Sequence, residues 1–127
     1  MIAQISLHNF KAFEDLSVDV APITVLVGPN NSGKSSILAA IRLLAQTLES
    51  PDPAVPLLLS GIFGDFGTFK DLVYRNHRGR PFSLSLTLKA PIRHAPTTHE
   101  PSTNRILRFD TTFKYRTQRR EIVLREF

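Results

Sequence analysis

The chain has 127 residues, 42% of them hydrophobic and 21% charged, which is the balance of one folded domain rather than a disordered tail. No apolar run approaches the ~18 residues of a membrane span, and Met1 leads into Ile2-Ala3-Gln4-Ile5 without a secretory n-region, so a cytoplasmic location is expected. With no cysteine, disulfides, thiolate zinc sites and thiol catalysis are excluded, and the four histidines (His8, His77, His94, His99) lack metal-ligand spacing. The net charge of +5 is uneven. Residues 1–71 carry four basic and seven acidic side chains, net −3, whereas residues 72–127 carry twelve basic and four acidic, net +8. Such a basic half is either a solvated surface or a footprint for a polyanion.

In chain order, Ala3, Ile5 and Leu7 alternate with Gln4 and Ser6, and Leu16, Val18 and Val20 repeat the pattern. These predict two antiparallel strands over 2–8 and 15–20. They are joined by Asn9-Phe10-Lys11-Ala12-Phe13, a connection with two anchoring aromatics. After Ala21-Pro22, Ile23-Thr24-Val25-Leu26-Val27 is almost wholly apolar and β-branched, the composition of a strand buried on both faces. A helix follows, with Ile37, Ala40, Ile41, Leu44, Ala45 and Leu48 on one stripe. Leu38 and Leu43 lie off the stripe, which predicts cover on more than one side, and Pro51 and Pro53 end the helix. Residues 61–69 form three Gly-x-Phe triplets, read as a loop with aromatic anchors rather than a repeat architecture. Phe82, Leu84, Leu86 and Leu88 alternate with polar residues, as do Leu107, Phe109, Thr111, Phe113 and Tyr115. These predict strands, the second turning at Thr117–Arg119 into a returning strand over 120–127. Residues 90–104, rich in Pro and Thr, are expected to be a mobile loop.

Gly28-Pro29-Asn30-Asn31-Ser32-Gly33-Lys34-Ser35 matches the Walker A (P-loop) pattern without a gap, between an apolar strand pattern and an apolar helix. Its glycines permit a tight turn whose N–H groups face phosphate oxygens, and the helix N-terminus adds donors and a positive dipole end. Lys34 supplies a point charge for the β- and γ-phosphates of ATP, Ser35 a hydroxyl ligand for Mg²⁺, and Ser36 a further hydroxyl on the first turn. Hydrolysis needs an acidic residue at the end of a second buried strand (Walker B). Ile106-Leu107-Arg108-Phe109-Asp110 imitates one, but Arg108 interrupts it and the alternation continues to Tyr115, which fits a surface hairpin better. The sequence thus supplies a nucleotide cradle, Gly28 to Ser36, and no catalytic acid.

The run from Ile2 to Leu48 resembles the N-terminal lobe of ABC-type ATPase heads of the RecF, SMC and OLD kind. The resemblance rests on Asn9-Phe10-Lys11-Ala12-Phe13 after a first strand and on Ile23 to Ser36 after a second. Phe66-Gly67-Thr68-Phe69-Lys70-Asp71-Leu72-Val73 resembles a stretch common in the OLD-like AAA family ATPases. What this implies is an α/β P-loop NTPase lobe, with a mixed sheet holding the P-loop strand beside the first two strands, and an antiparallel hairpin layer. The expected division is 1–50 for the strand–loop–helix core, 51–81 for a Gly/Pro-rich connection and 82–127 for a basic β segment. Such heads work as dimers around ATP and Mg²⁺, in DNA repair or phage defence. Walker B and signature motifs are not found here, so the lobe is read as incomplete and the partner as a homodimer mate or a complementary ATPase chain. The resemblance also brings Lys11 toward the phosphates; a solvated lysine between two aromatics is the other reading. Two alternatives remain: a stand-alone nucleotide-binding module without hydrolysis, and a basic nucleic-acid-binding β module that would contact DNA. Exposed apolar surface is expected, since one helix cannot cover both faces of a sheet.

Overall fold

The computed structural model describes residues 1–91 and 104–126; the loop expected at 90–104 lies almost wholly outside them. A five-stranded sheet has the order β2-β1-β5-β6-β7. Its strands are β1 (Ile2–Phe10), β2 (Phe13–Asp19), β5 (Phe82–Pro91), β6 (Asn104–Arg116) and β7 (Glu121–Glu126). Between β2 and β5 lie α1 (Lys34–Leu48), a two-residue-per-strand hairpin of β3 (Ser60–Gly61) and β4 (Gly64–Asp65), and the short α2 (Phe69–Leu72).

Alternation decides the faces. Ile5 and Leu7 pair with Val18 and Leu16 on one side and with Leu86 and Leu84 on the other, so one face of the sheet is apolar across three strands. The opposite face carries polar cross-strand pairs. Ser6 Oγ meets Ser17 Oγ at 3.1 Å, Ser83 Oγ meets Thr112 Oγ1 at 2.9 Å, and His8 Nδ1 meets Asp15 Oδ1 at 2.6 Å. On β1 the alternation breaks at Asn9, whose φ is 54°. Asn tolerates this left-handed conformation, and its Nδ2 donates to Pro81 O at 2.8 Å. The break lets Phe10, two positions beyond His8, turn into the core instead of out with it. There Phe10, Phe82 and Phe113 are fully buried, and Phe82 sits 5.4, 5.3 and 5.3 Å from the rings of Phe10, Phe69 and Phe113. Each such ring contributes about 1.5–3 kcal/mol by burial.

Two expectations are corrected. The sheet is not mixed: every ladder is antiparallel, and the basic hairpin β6–β7 extends the same sheet through β5 instead of forming its own layer. Residues 23–27 form no strand, and Ile23, Val25 and Val27 are 86%, 76% and 88% exposed. The cause is local. Both edges of β1 are taken by β2 and β5. The Thr24 hydroxyl donates to Ala21 O at 3.2 Å and accepts from Ala21 N–H at 3.0 Å, turning the chain off the sheet after Val20. Leu26 alone of the apolar run packs against the core. The exposed apolar surface anticipated from the helix count is thus found here.

The remaining boundaries differ by small amounts. β1 runs on to Phe10, β2 begins at Phe13, and the turn spans 117–120. The buried side of α1 is rotated from the expected stripe: Ile37, Ala40, Leu43 and Gln46 are buried, while Leu48 is 77% exposed. Two of the triplet aromatics, Phe66 and Phe69, are core residues, as a loop with aromatic anchors requires. Among the described residues no helix is long and apolar enough to cross a membrane.

Candidate functional site

The 28–36 loop wraps into the N-terminus of α1. Gly33 is the N-cap residue, at φ 92° and ψ 4°. A Cβ built on it would stand 2.3 Å from Phe13 Cζ, so only glycine lets the β1–β2 turn close on the loop. Asn31, at φ 67°, makes the other left-handed turn, and Ser32 N–H donates to Pro29 O at 3.3 Å. Lys34 folds its ammonium back across the loop, where it donates to Gly28 O at 2.5 Å, Pro29 O at 2.6 Å and Ser32 Oγ at 3.3 Å. Three donors meet three loop oxygens, which fixes the point charge and the loop against each other.

Around this loop lies a cavity of about 600 Å³ lined by Ala12 and by Asn30, Asn31, Ser32, Gly33, Lys34, Ser35 and Ser36. The structure thus brings seven of the nine expected site residues to one cavity. Gly28 and Pro29 hold Lys34 from behind. Ser35 is exposed and Ser36 buried, so the two adjacent hydroxyls meet different surroundings. The lining holds a cation, hydroxyls and amides, and no carboxylate. That donor set fits an anion. A divalent cation would find only neutral oxygens of serine and asparagine side chains on this lining, and would depend on the anion for charge.

Ala12, outside the Walker A pattern, also lines the cavity. Lys11 is not among the residues lining the cavity; it is half-buried, and its backbone N–H donates to Leu72 O at 2.7 Å, at φ 46°. Its charge also acts on Asp71. That carboxyl is held below the ordinary carboxylate range, chiefly by hydrogen bonds from the Thr68 backbone and hydroxyl, with Lys11 and Lys70 adding smaller attractions. Asp110, the one imitation of an acidic metal motif, sits on β6 opposite Ser85 and pairs with Arg108 Nε at 2.9 Å. Its carboxyl is lowered by the Ser85 hydroxyl first and by Arg108 second. It is a hairpin surface residue.

Part of the basic half lies at the β6–β7 turn. Lys114, Arg116 and Arg119, with Gly79, line a second cavity of about 510 Å³. Arg78 lies 5.9 Å from the Tyr115 ring centroid. Glu121 reaches Arg116 at 3.7 Å and Arg119 at 4.0 Å, neutralising part of this charge. Phe113 is buried in the core, and the half-buried Tyr115 packs against the core while also lining this cavity.

Parts of the chain are similar to known proteins. The chain is 41% identical over 44 residues to the OLD nuclease of Thermus scotoductus, 35% of this chain and 8% of that protein. It is 39% identical over 66 residues to the Old nuclease of Escherichia phage P2, 48% of this chain and 11% of that protein. It is 45% identical over 47 residues to the DNA replication and repair protein RecF of Lactococcus lactis, 36% of this chain and 13% of that protein. The chain thus spans about a tenth of the length of these relatives. A family model described as an AAA ATPase domain matches residues 1–123. A match over nearly the whole chain, with a Gly-rich loop set at a helix N-terminus, identifies this chain as a member of the AAA ATPase domain family and of its P-loop NTPase fold.

Proposed function

We propose that the chain binds ATP with Mg²⁺ through Gly28 to Ser36, as the N-terminal segment of an ABC-type ATPase of the RecF, SMC and OLD kind. The observation that carries this is the carboxylate-free cavity at the N-terminus of α1, with Lys34 fixed on its loop. The residues divide the work. Backbone N–H groups of the loop and first helical turn donate to the phosphate oxygens. Lys34 exchanges its contacts with loop oxygens for phosphate oxygens, and Ser35 offers the metal its hydroxyl. Bound Mg²⁺ would supply neutralisation of the β- and γ-phosphate charge. The β1–β2 turn closes one wall through Ala12 and Phe13. Hydrolysis then depends on Walker B and signature elements that Gly28 to Ser36 do not include, the partner is a homodimer mate or a complementary ATPase chain, and the process served is DNA repair or phage defence.

Titration with a fluorescent ATP analogue and Mg²⁺ tests the reading. Lys34→Ala should abolish binding at analogue concentrations that saturate the wild type, with its circular dichroism unchanged. Equal affinity in the two proteins would overturn it. A second reading is favoured by the cations around the Lys114–Arg119 cavity: contact with the DNA backbone. Its mark is a salt-dependent DNA affinity whose slope falls by about one for each of Arg116→Ala and Arg119→Ala.

A further inference from the structure

We infer that Gln46 is a positioning residue for the phosphate-facing cavity, acting through residues 57–73, which tie the cavity's two walls together. The cavity is bounded by the first turn of α1 on one side and by the β1–β2 turn on the other. Both walls are anchored to the same stretch of chain. At one end, Gln46, buried on α1, donates through Nε2 to Leu58 O at 2.8 Å and accepts from Phe63 N–H at Oε1, 3.0 Å. Thr47 Oγ1 accepts from Leu58 N–H at 3.0 Å, and Arg42 Nη2 donates to Phe63 O. At the other end, Leu72 O accepts from Lys11 N–H, and Val73 bridges Phe10. The β1–β2 turn then closes on the loop through Phe13 and Gly33. A closed circuit results: loop, α1, residues 57–73, β1–β2 turn, and back to the loop.

Gln46 is the joint where this circuit is tightest. Its amide is the one buried side chain of α1 that bonds two separate backbone groups of the segment, and those groups flank β3. Gly61 passes so close that a built Cβ would stand 2.7 Å from Gln46 Cδ, which leaves the amide no alternative seat. Removing it takes the side-chain partner from the half-buried Leu58 C=O and Phe63 N–H together, and the segment loses its hold on α1. The pitch of α1, and so the aim of its N-terminus, shifts with it. The segment is a spacer that sets how far the turn stands from the helix.

The test compares Gln46→Met with Thr111→Val in the full chain. Gln46→Met keeps length and volume but offers neither hydrogen bond. Thr111→Val removes a bond of the same kind, from a buried hydroxyl to Leu84 O, in the sheet and outside the circuit. Amide hydrogen exchange is read at Lys11, Phe13, Ser36 and Ile37. Binding of the ATP analogue with Mg²⁺ is read in parallel, an arm that rests on the proposed nucleotide site. Gln46→Met is expected to speed exchange at these four amides and to weaken analogue binding by about tenfold, while Thr111→Val changes neither. Unchanged exchange in Gln46→Met, or equal acceleration in Thr111→Val, overturns the inference. Faster exchange without analogue binding by the wild type supports the positioning role and defeats the nucleotide reading instead. Should Gln46→Met fail to fold, Gly61→Ala, which displaces the amide without deleting it, is expected to give the same pattern, and its absence overturns the inference.

Discussion

Replacing Gly33 with alanine tests how the loop and the β1–β2 turn fit together. Two costs are separable. The first is conformational: a residue with a Cβ at φ 92° is strained by about 1 kcal/mol relative to glycine. The second is steric. The new methyl would meet Phe13 Cζ, Cε2 and Cε1 at 2.3, 2.8 and 3.0 Å, so the half-buried ring must leave its seat, at about 2 kcal/mol by analogy with overpacked cores. Gly33→Ala should therefore lower stability by about 3 kcal/mol. In a Phe13→Ala background the ring is gone and only the conformational cost remains, about 1 kcal/mol. Urea unfolding followed by circular dichroism, with all four proteins of the cycle, gives the coupling directly. A coupling of about 2 kcal/mol is expected. If Gly33→Ala costs the same with and without Phe13, to within ~0.5 kcal/mol, the aromatic does not seal the loop and the reasoning fails.

Phe82→Ala, which empties the centre of the four-ring cluster, should cost about 3–5 kcal/mol in the same urea assay. Val25→Thr and Val27→Thr, at positions 76% and 88% exposed, should each change stability by less than about 0.5 kcal/mol; a cost of 2 kcal/mol would place them in a core. Asp71 titrates below its unfolded value because Thr68 donates to its ionised form. Its contribution is therefore present above the unfolded pKa of about 3.9 and is lost as pH falls through the lower folded value. Asp71→Asn should flatten the loss of stability in that acid window and leave its slope at neutral pH unchanged, as read by thermal midpoints against pH.

What the sequence made legible follows the range of the forces involved. Alternation is local, so β1, β2, β5 and the β6–β7 hairpin could be read from it, and the Walker A spacing is local as well. Residues 23–27 show the opposite case. Their β-branched, apolar composition states a preference for burial in a sheet, but a strand exists only where a neighbour offers a free edge, and no edge can be read from five residues. The exposure of Leu38 and Leu48 and the burial of Gln46 are illegible for a related reason. The buried side of α1 is chosen by residues 57–66 as well as by the sheet, and a glutamine inside an apolar helix declares its partners only when Leu58 and Phe63 are brought to it. Asn9 carried a weak signal, a polar residue between a strand and an aromatic, but its inversion of the face pattern needed the backbone dihedral.

The pairing of β1 with β5 has a consequence for how the molecule assembles. Asn9 and Pro81, 72 residues apart in sequence, are joined by a hydrogen bond, and Met1 and Lys89, 88 apart, by another. The loop and α1, which face the cavity and lie between the end of β2 and the start of β5, are therefore an excursion out of and back into the sheet. Closing a ring of that size costs chain entropy before the ladder returns any of it. The loop and helix gain their fixed spacing only after the β1–β5 seam has zipped. Ordering of the cavity should thus come late in folding, and whatever loosens the seam loosens the cavity's geometry from a distance.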